Sequence, residues 1–249
     1  MMTPADYRSY GEELERLLLL RTSPIAVKML KTENDIPEGA VRPVRDRHQH
    51  LAQCQALALS RRNRETVAML LEDNWCFAPP IAYGLVDRPD NPEYAFFTDF
   101  PRFERGKYVG IVSAPLRATP FAPEIVIVYC NPAQLRNLLQ PLHFNRQADD
   151  IMYNFFPPVC SSTVVTVMET GKFMVALPDP GEYMRALPAE EEMIFSIPEF
   201  RLQALVEGYR QLHERGLGYL NANMEMKTDF EQPPMYRELF RQWGILADD

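Results

Sequence analysis

The stretch Glu124-Ile-Val-Ile-Val-Tyr129 constrains this chain most, because it is apolar at every position from Ile125 to Tyr129. A strand with one wet face alternates apolar and polar residues. An unbroken run of this kind belongs to a strand covered on both faces. The chain must therefore place helices on each side of a sheet. Further strands are predicted at residues 24–30, 66–71, 107–113, 173–177 and 192–197. Helices are predicted at 4–22, 48–61, 131–139, 159–168, 198–215 and 236–243, with Thr3 and Asn131 as caps and Pro4 and Pro132 in first turns. Residues 33–46 read as a loop. Residues 72–85 read as a turn and short helix. Residues 86–105, with Tyr94-Ala-Phe-Phe97 inside, read as a long functional connection.

The order of these elements predicts an α/β or α+β fold, a mixed sheet flanked by helices. A weak internal echo suggests two pseudo-repeated lobes around a crevice. Cys54 opens a helix that leads to Val-Ala-Met-Leu and an acidic turn, and Cys160 opens another that leads to Met-Val-Ala-Leu and Pro-Asp-Pro-Gly. Residues 1–215 are expected to form one unit, with lobes 1–120 and 121–215. Residues 216–249 are expected to be a helical extension whose aromatic residues suit exchange with a second copy, that is, a homodimer.

A net charge of −8 and a pI near 5.2 argue against non-specific nucleic-acid binding. Two local basic clusters stand out, Arg42, Arg45 and Arg47, then Arg61, Arg62 and Arg64. They read either as solvated helix ends or as the rim of an anion site. The first residues show no basic-then-apolar leader, and Leu17-Leu-Leu-Leu20 is too short to span a bilayer, so no membrane association is expected. Four cysteines without a framework pattern fit the reducing cytoplasm.

Candidate chemistry centres on three of those cysteines. Cys54, Cys76 and Cys160 sit at helix starts or proline-rich turns, contexts expected to expose a thiol or lower its pKa. Three thiolates can hold an iron–sulfur cluster or a transition metal with one position left open. Each can equally be a small buried apolar group. No close CxxC pair is present. His50, four residues before Cys54, would share its helix face and is an added candidate ligand. Cys130 reads as strand-end packing. Lys28 in an apolar strand and Arg185 after a Pro-Gly turn are candidates for an anionic ligand, as are the N–H groups beside Asn131. The signatures GxGxxG, GxxxxGK[ST], HExxH and GxSxG are missing.

Several of these segments together resemble a known family. They are Pro24-Ile-Ala-Val-Lys28, Cys54-Gln-Ala, Cys76 before Gly84-Leu85, Ala114-Pro-Leu116, Phe121-Ala-Pro-Glu-Ile-Val126, Asn131-Pro-Ala-Gln134, Cys160, Arg185, and Glu192-Met-Ile-Phe-Ser-Ile-Pro198. Their order is similar to that in the uncharacterised prokaryotic family called domain of unknown function 169, over residues 10–215. The resemblance implies recurring cysteines at Cys54, Cys76 and Cys160, and a fourth shortly before Arg185. Here that stretch is Pro180-Gly-Glu-Tyr-Met-Arg185, so at most three of four thiol ligands are present. Two functions are expected from these residues. One is a cytoplasmic redox or metal-dependent enzyme built on the cysteines. The other is a non-catalytic binding protein for a small anionic ligand.

Overall fold

The computed structural model describes residues 2–91, 93, 98–144, 150–219, 228, 231–232 and 234–246. Tyr94–Phe97 and most of residues 220–233 lie outside the described residues. The chain divides into two units, Met1–Tyr219 and Leu220–Asp249. The first boundary falls four residues beyond the predicted 215.

The first unit is a seven-stranded mixed sheet. Its strands are β1 (Ile25–Leu30), β2 (Val67–Leu70), β3 (Gly110–Pro115), β4 (Ile125–Cys130), β5 (Ile151–Asn154), β6 (Phe173–Ala176) and β7 (Met193–Pro198), in the order β2-β3-β1-β4-β7-β6-β5. All pairings are antiparallel except β5 with β6. Every residue of β4 is buried, as its unbroken apolar run requires. Odd and even residues feed two separate cores. Helices α1 (Pro4–Leu18), α5 (Pro132–Phe144) and α8 (Glu199–Glu214) cover one face, where Leu14, Val126, Val128, Leu138, Phe195 and Leu205 pack. Helices α2 (Pro43–Arg47), α3 (Gln53–Ala58), α4 (Ala78–Ala82), α6 (Val159–Thr170) and α7 (Pro180–Arg185) complete this unit, and α3, α4 and α6 pack on the other face against Val27, Met69, Ile111 and Ile127. The second unit contains α9 (Pro234–Gln242), on which Phe240 contacts Trp243. Among the described residues no helix is long and apolar enough to cross a membrane.

The internal echo is a topological one. β1–α3–β2 and β4–α6–β6 are each a helix-linked pair of parallel strands, and each pair is split by the next antiparallel strand, β3 or β7. Outward from the central β1·β4 pair the strands run β1, β3, β2 on one side and β4, β7, β6 on the other. The additional strand β5 lengthens the second side.

The predicted helix over 48–61 is shorter than expected. Leu51 is extended and pairs with the 73–75 turn, its N–H bonding Asp73 O at 2.9 Å and its carbonyl receiving Trp75 N–H at 2.9 Å. The helix therefore starts at Gln53, and it ends in a π-type turn over Leu59–Asn63. The predicted loop over 33–46 holds most of α2, with Pro43 in its first turn.

Candidate functional site

Helices α3 and α6 each carry a cysteine at their second residue, Cys54 and Cys160. Both thiols face the core shared by α3, α4 and α6, and half-buried Cys76 packs against it. Burial pushes the Cys54 thiol up to about 12, with the Glu182 carboxylate adding to the shift and Arg185 opposing it. Cys160 is held well above the ordinary thiol range, first by burial and then by Cys54, Glu182, Asp179 and Cys76. Burial raises the Tyr83 hydroxyl well above the ordinary tyrosine range, and Cys160 and Cys76 add to the shift. The three cysteines of the sequence reading therefore share one electrostatic neighbourhood, although they are far apart in sequence. Cys130 faces the opposite core and is set apart from them.

A carboxyl group that the sequence reading missed belongs to this neighbourhood. Glu182 is 1% exposed, and its pKa is raised to about 7, mainly by burial, with the Tyr129 hydrogen bond opposing. Tyr129 OH donates to Glu182 Oε1 at 2.9 Å, while Oε2 has no hydrogen-bond partner. Asp179 positions it. Asp179 Oδ1 accepts the Glu182 N–H (2.9 Å), and Oδ2 accepts the Val159 N–H (3.0 Å), next to Cys160. The matching turn of the first half has the same spacing, Asp73 then Cys76. There Asp73 accepts Leu70 N–H (2.9 Å), Val44 N–H (3.0 Å) and Arg42 Nε–H (2.7 Å). Glu182 thus stands where the first half has Cys76. The common Asp-x-x signal was present in the sequence, hidden by the change of the third residue.

Other buried polar atoms around these helices also lack hydrogen-bond partners: both amide atoms of Gln53, Tyr83 OH and Ser161 Oγ. Such groups are costly unless matched. Among the described residues, however, no three His, Cys, Asp or Glu side chains are grouped so as to hold a metal ion.

Three of the other predicted site residues are elsewhere. His50 is exposed, packs its ring against Trp75 in a tilted contact with centroids 4.8 Å apart and precedes α3, so the helical spacing to Cys54 does not apply. Lys28 alternates with Val27 and Met29, which face the thiol core, and so points to the opposite side of the sheet. Its charge acts there on Glu124 and Asp35. Asn131 caps α5 reciprocally with Gln134 (2.8 and 2.9 Å), which occupies the N–H groups proposed for an anion, and Glu191 and Glu192 line the same small recess.

Arg185 is at the site. Its Nη1 lies 3.8 Å from Cys76 Sγ. It also lines a 250 Å³ pocket where residues 41–63 of the first half meet 185–187 of the second. Arg47 and Arg62 line that pocket too, and among the described residues no carboxylate does. The two basic clusters thus contain residues with opposite fates. Arg42 is buried against Asp73, and Arg61 is buried against Glu192 (3.1 Å) with its guanidinium 4.0 Å above the Tyr129 ring. Arg47 and Arg62 turn outward to the pocket.

The family model of DUF169, described as uncharacterised ArCR, matches residues 13–208. The chain belongs to that family. It is 22% identical over 231 residues to an uncharacterized protein of Methanocaldococcus jannaschii, covering 84% of this chain and 96% of that one. No solved structure matches the chain.

Proposed function

We propose that this DUF169 protein binds a small anionic molecule in the pocket of Arg47, Arg62 and Arg185 and holds it beside the Cys76 thiol. One observation carries this reading: Arg185 both lines the carboxylate-free pocket and touches Cys76 Sγ. Guanidinium groups bind carboxylate and phosphate with two parallel hydrogen bonds. Three of them rim the pocket, and although Arg47 is paired with Glu65, the rim keeps a local excess of positive charge that attracts anions on a chain of net charge −8. Four free cysteines support a reducing compartment, and we assign the protein to the cytoplasm. Calorimetric titration with small carboxylates and phosphates tests the reading. Arg62→Gln should weaken binding about tenfold, the loss of one charge-assisted bond, while Lys28→Gln leaves it unchanged. Equal affinity in wild type and in an Arg62→Gln/Arg185→Gln double variant would refute it.

A second reading is favoured by the pseudo-symmetric convergence of Cys54 and Cys160, Cys76 and Glu182. Three thiolates and a carboxylate suit a transition metal or an iron–sulfur cluster, and the chain would then be a redox or metal-dependent enzyme. Because these side chains are not grouped for a single ion, loading would require them to move. Iron, zinc and acid-labile sulfide in anaerobically purified protein test this reading. Protein without any of them, and unable to take them up on reconstitution, would rule it out.

A further inference from the structure

The rim of the arginine pocket accounts for an anionic head, but most of its wall is apolar. Leu51, Ala58, Leu59 and Leu187 line it together with Val41 and Pro43. The larger cavity over residues 33–46 is different. It is bordered by Glu33, Glu38 and Asp46 as well as Arg42 and Arg45, so its acids outnumber its arginines and it has no anion preference. Each arginine of the first pocket presents five donors. Each is also steadied by one partner: Arg47 by Glu65, Arg62 by the Leu187 carbonyl, Arg185 by Cys76. The charged heads are thereby held at the edge while the apolar floor remains open to a ligand.

We infer that the ligand is a small amphiphilic anion, a single carboxylate or phosphate head on an apolar body. This inference rests on the anion-binding reading above and specifies its substrate class. Size sets a further limit. At about 30 Å³ for each water-sized group, a 250 Å³ pocket holds roughly eight non-hydrogen atoms, the size of a six-carbon carboxylate. The head meets the guanidiniums and the body lies on Leu59 and Leu51. A nucleotide or a polyanionic sugar phosphate is too polar for such a floor.

The test is a calorimetric titration of the full chain with hexanoate, acetate and 1-hexanol. Hexanoate should bind at least about 30-fold tighter than acetate, since each of its four extra methylenes contributes up to about fourfold when buried. It should also bind at least about tenfold tighter than hexanol, which lacks the charge. Leu59→Ser should weaken hexanoate and leave acetate unchanged, with an unchanged melting temperature reporting an intact fold. Acetate binding as tightly as hexanoate, or an indifferent Leu59→Ser, would overturn the apolar body and leave the anion reading standing. Hexanol binding as tightly as hexanoate would overturn the anion reading itself. No binding of any of the three would overturn both. Hexyl phosphate compared with hexanoate then separates the two head groups.

Discussion

The half built on β1, β2 and β3 and the half built on β4, β7 and β6 lay down the same split unit, yet they end their second strands differently. In the first, Asp73 is fully buried, neutralised by Arg42, and followed three residues later by a thiol. In the second, Asp179 caps a helix, and the residue three positions on is a carboxyl group in an almost anhydrous setting. The comparison separates scaffold from chemistry. The aspartate at each turn organises backbone N–H groups. The third residue on is free of that task and is a thiol in one half and a carboxyl group in the other.

The largest effect should come from the first aspartate. Asp73→Asn removes the buried carboxylate that faces the Arg42 guanidinium and leaves Glu72 as its remaining ion-pair partner, and breaking a buried pair typically costs about 3–5 kcal/mol. Chemical denaturation should show a loss of that size. Asp179→Asn keeps the cap acceptor and forfeits one backbone bond, a cost of about 1–2 kcal/mol. Equal losses in the two variants would mean that the turns are not built differently.

Glu182 gives the next effect. Its folded-state pKa of about 7 lies above the ordinary 4.5. As pH rises from about 4.5 to 7, the unfolded chain releases this proton before the folded one does. The contribution of Glu182 is therefore complete at low pH and lost across that window, by an amount of order 3 kcal/mol. In metal-free protein, Glu182→Gln should flatten this slope, whereas Cys76→Ser should leave it in place. The same slope in wild type and Glu182→Gln would show that other groups titrate there.

A smaller difference concerns access. Cys76 is half-buried, while Cys54, Cys130 and Cys160 are buried and burial holds all three protonated. Iodoacetamide should modify one thiol in the folded protein, identified as Cys76 by peptide mapping, and the other three only on unfolding. Early modification of Cys160 would contradict the packing of α6.

Much of the scaffold was readable from residues 124–129 and from the helical spacing of α1 and α8, because two-sided burial leaves an unbroken apolar run. The short edge strand β5, Ile151–Asn154, was not, since four residues pairing with one neighbour leave little pattern. The face of Lys28 depends on register, which the sequence does not state. Arg61 and Arg62 are adjacent and chemically identical, and only the π-type turn determines that one is buried against Glu192 and the other reaches the pocket. The turn contexts of Cys54, Cys76 and Cys160 are visible in the sequence, but a turn context does not state a function. Glu182 was not recognisable, because its role follows from matching two halves that differ at that residue.

The anionic ligand is proposed to bind where the two halves meet. NMR of the arginine Nε–H groups during titration with hexanoate tests it most directly. The account predicts saturable shifts at Arg47, Arg62 and Arg185, with Arg21 and Arg117 unmoved. Shifts spread evenly over all arginines, or none at these three, would contradict it.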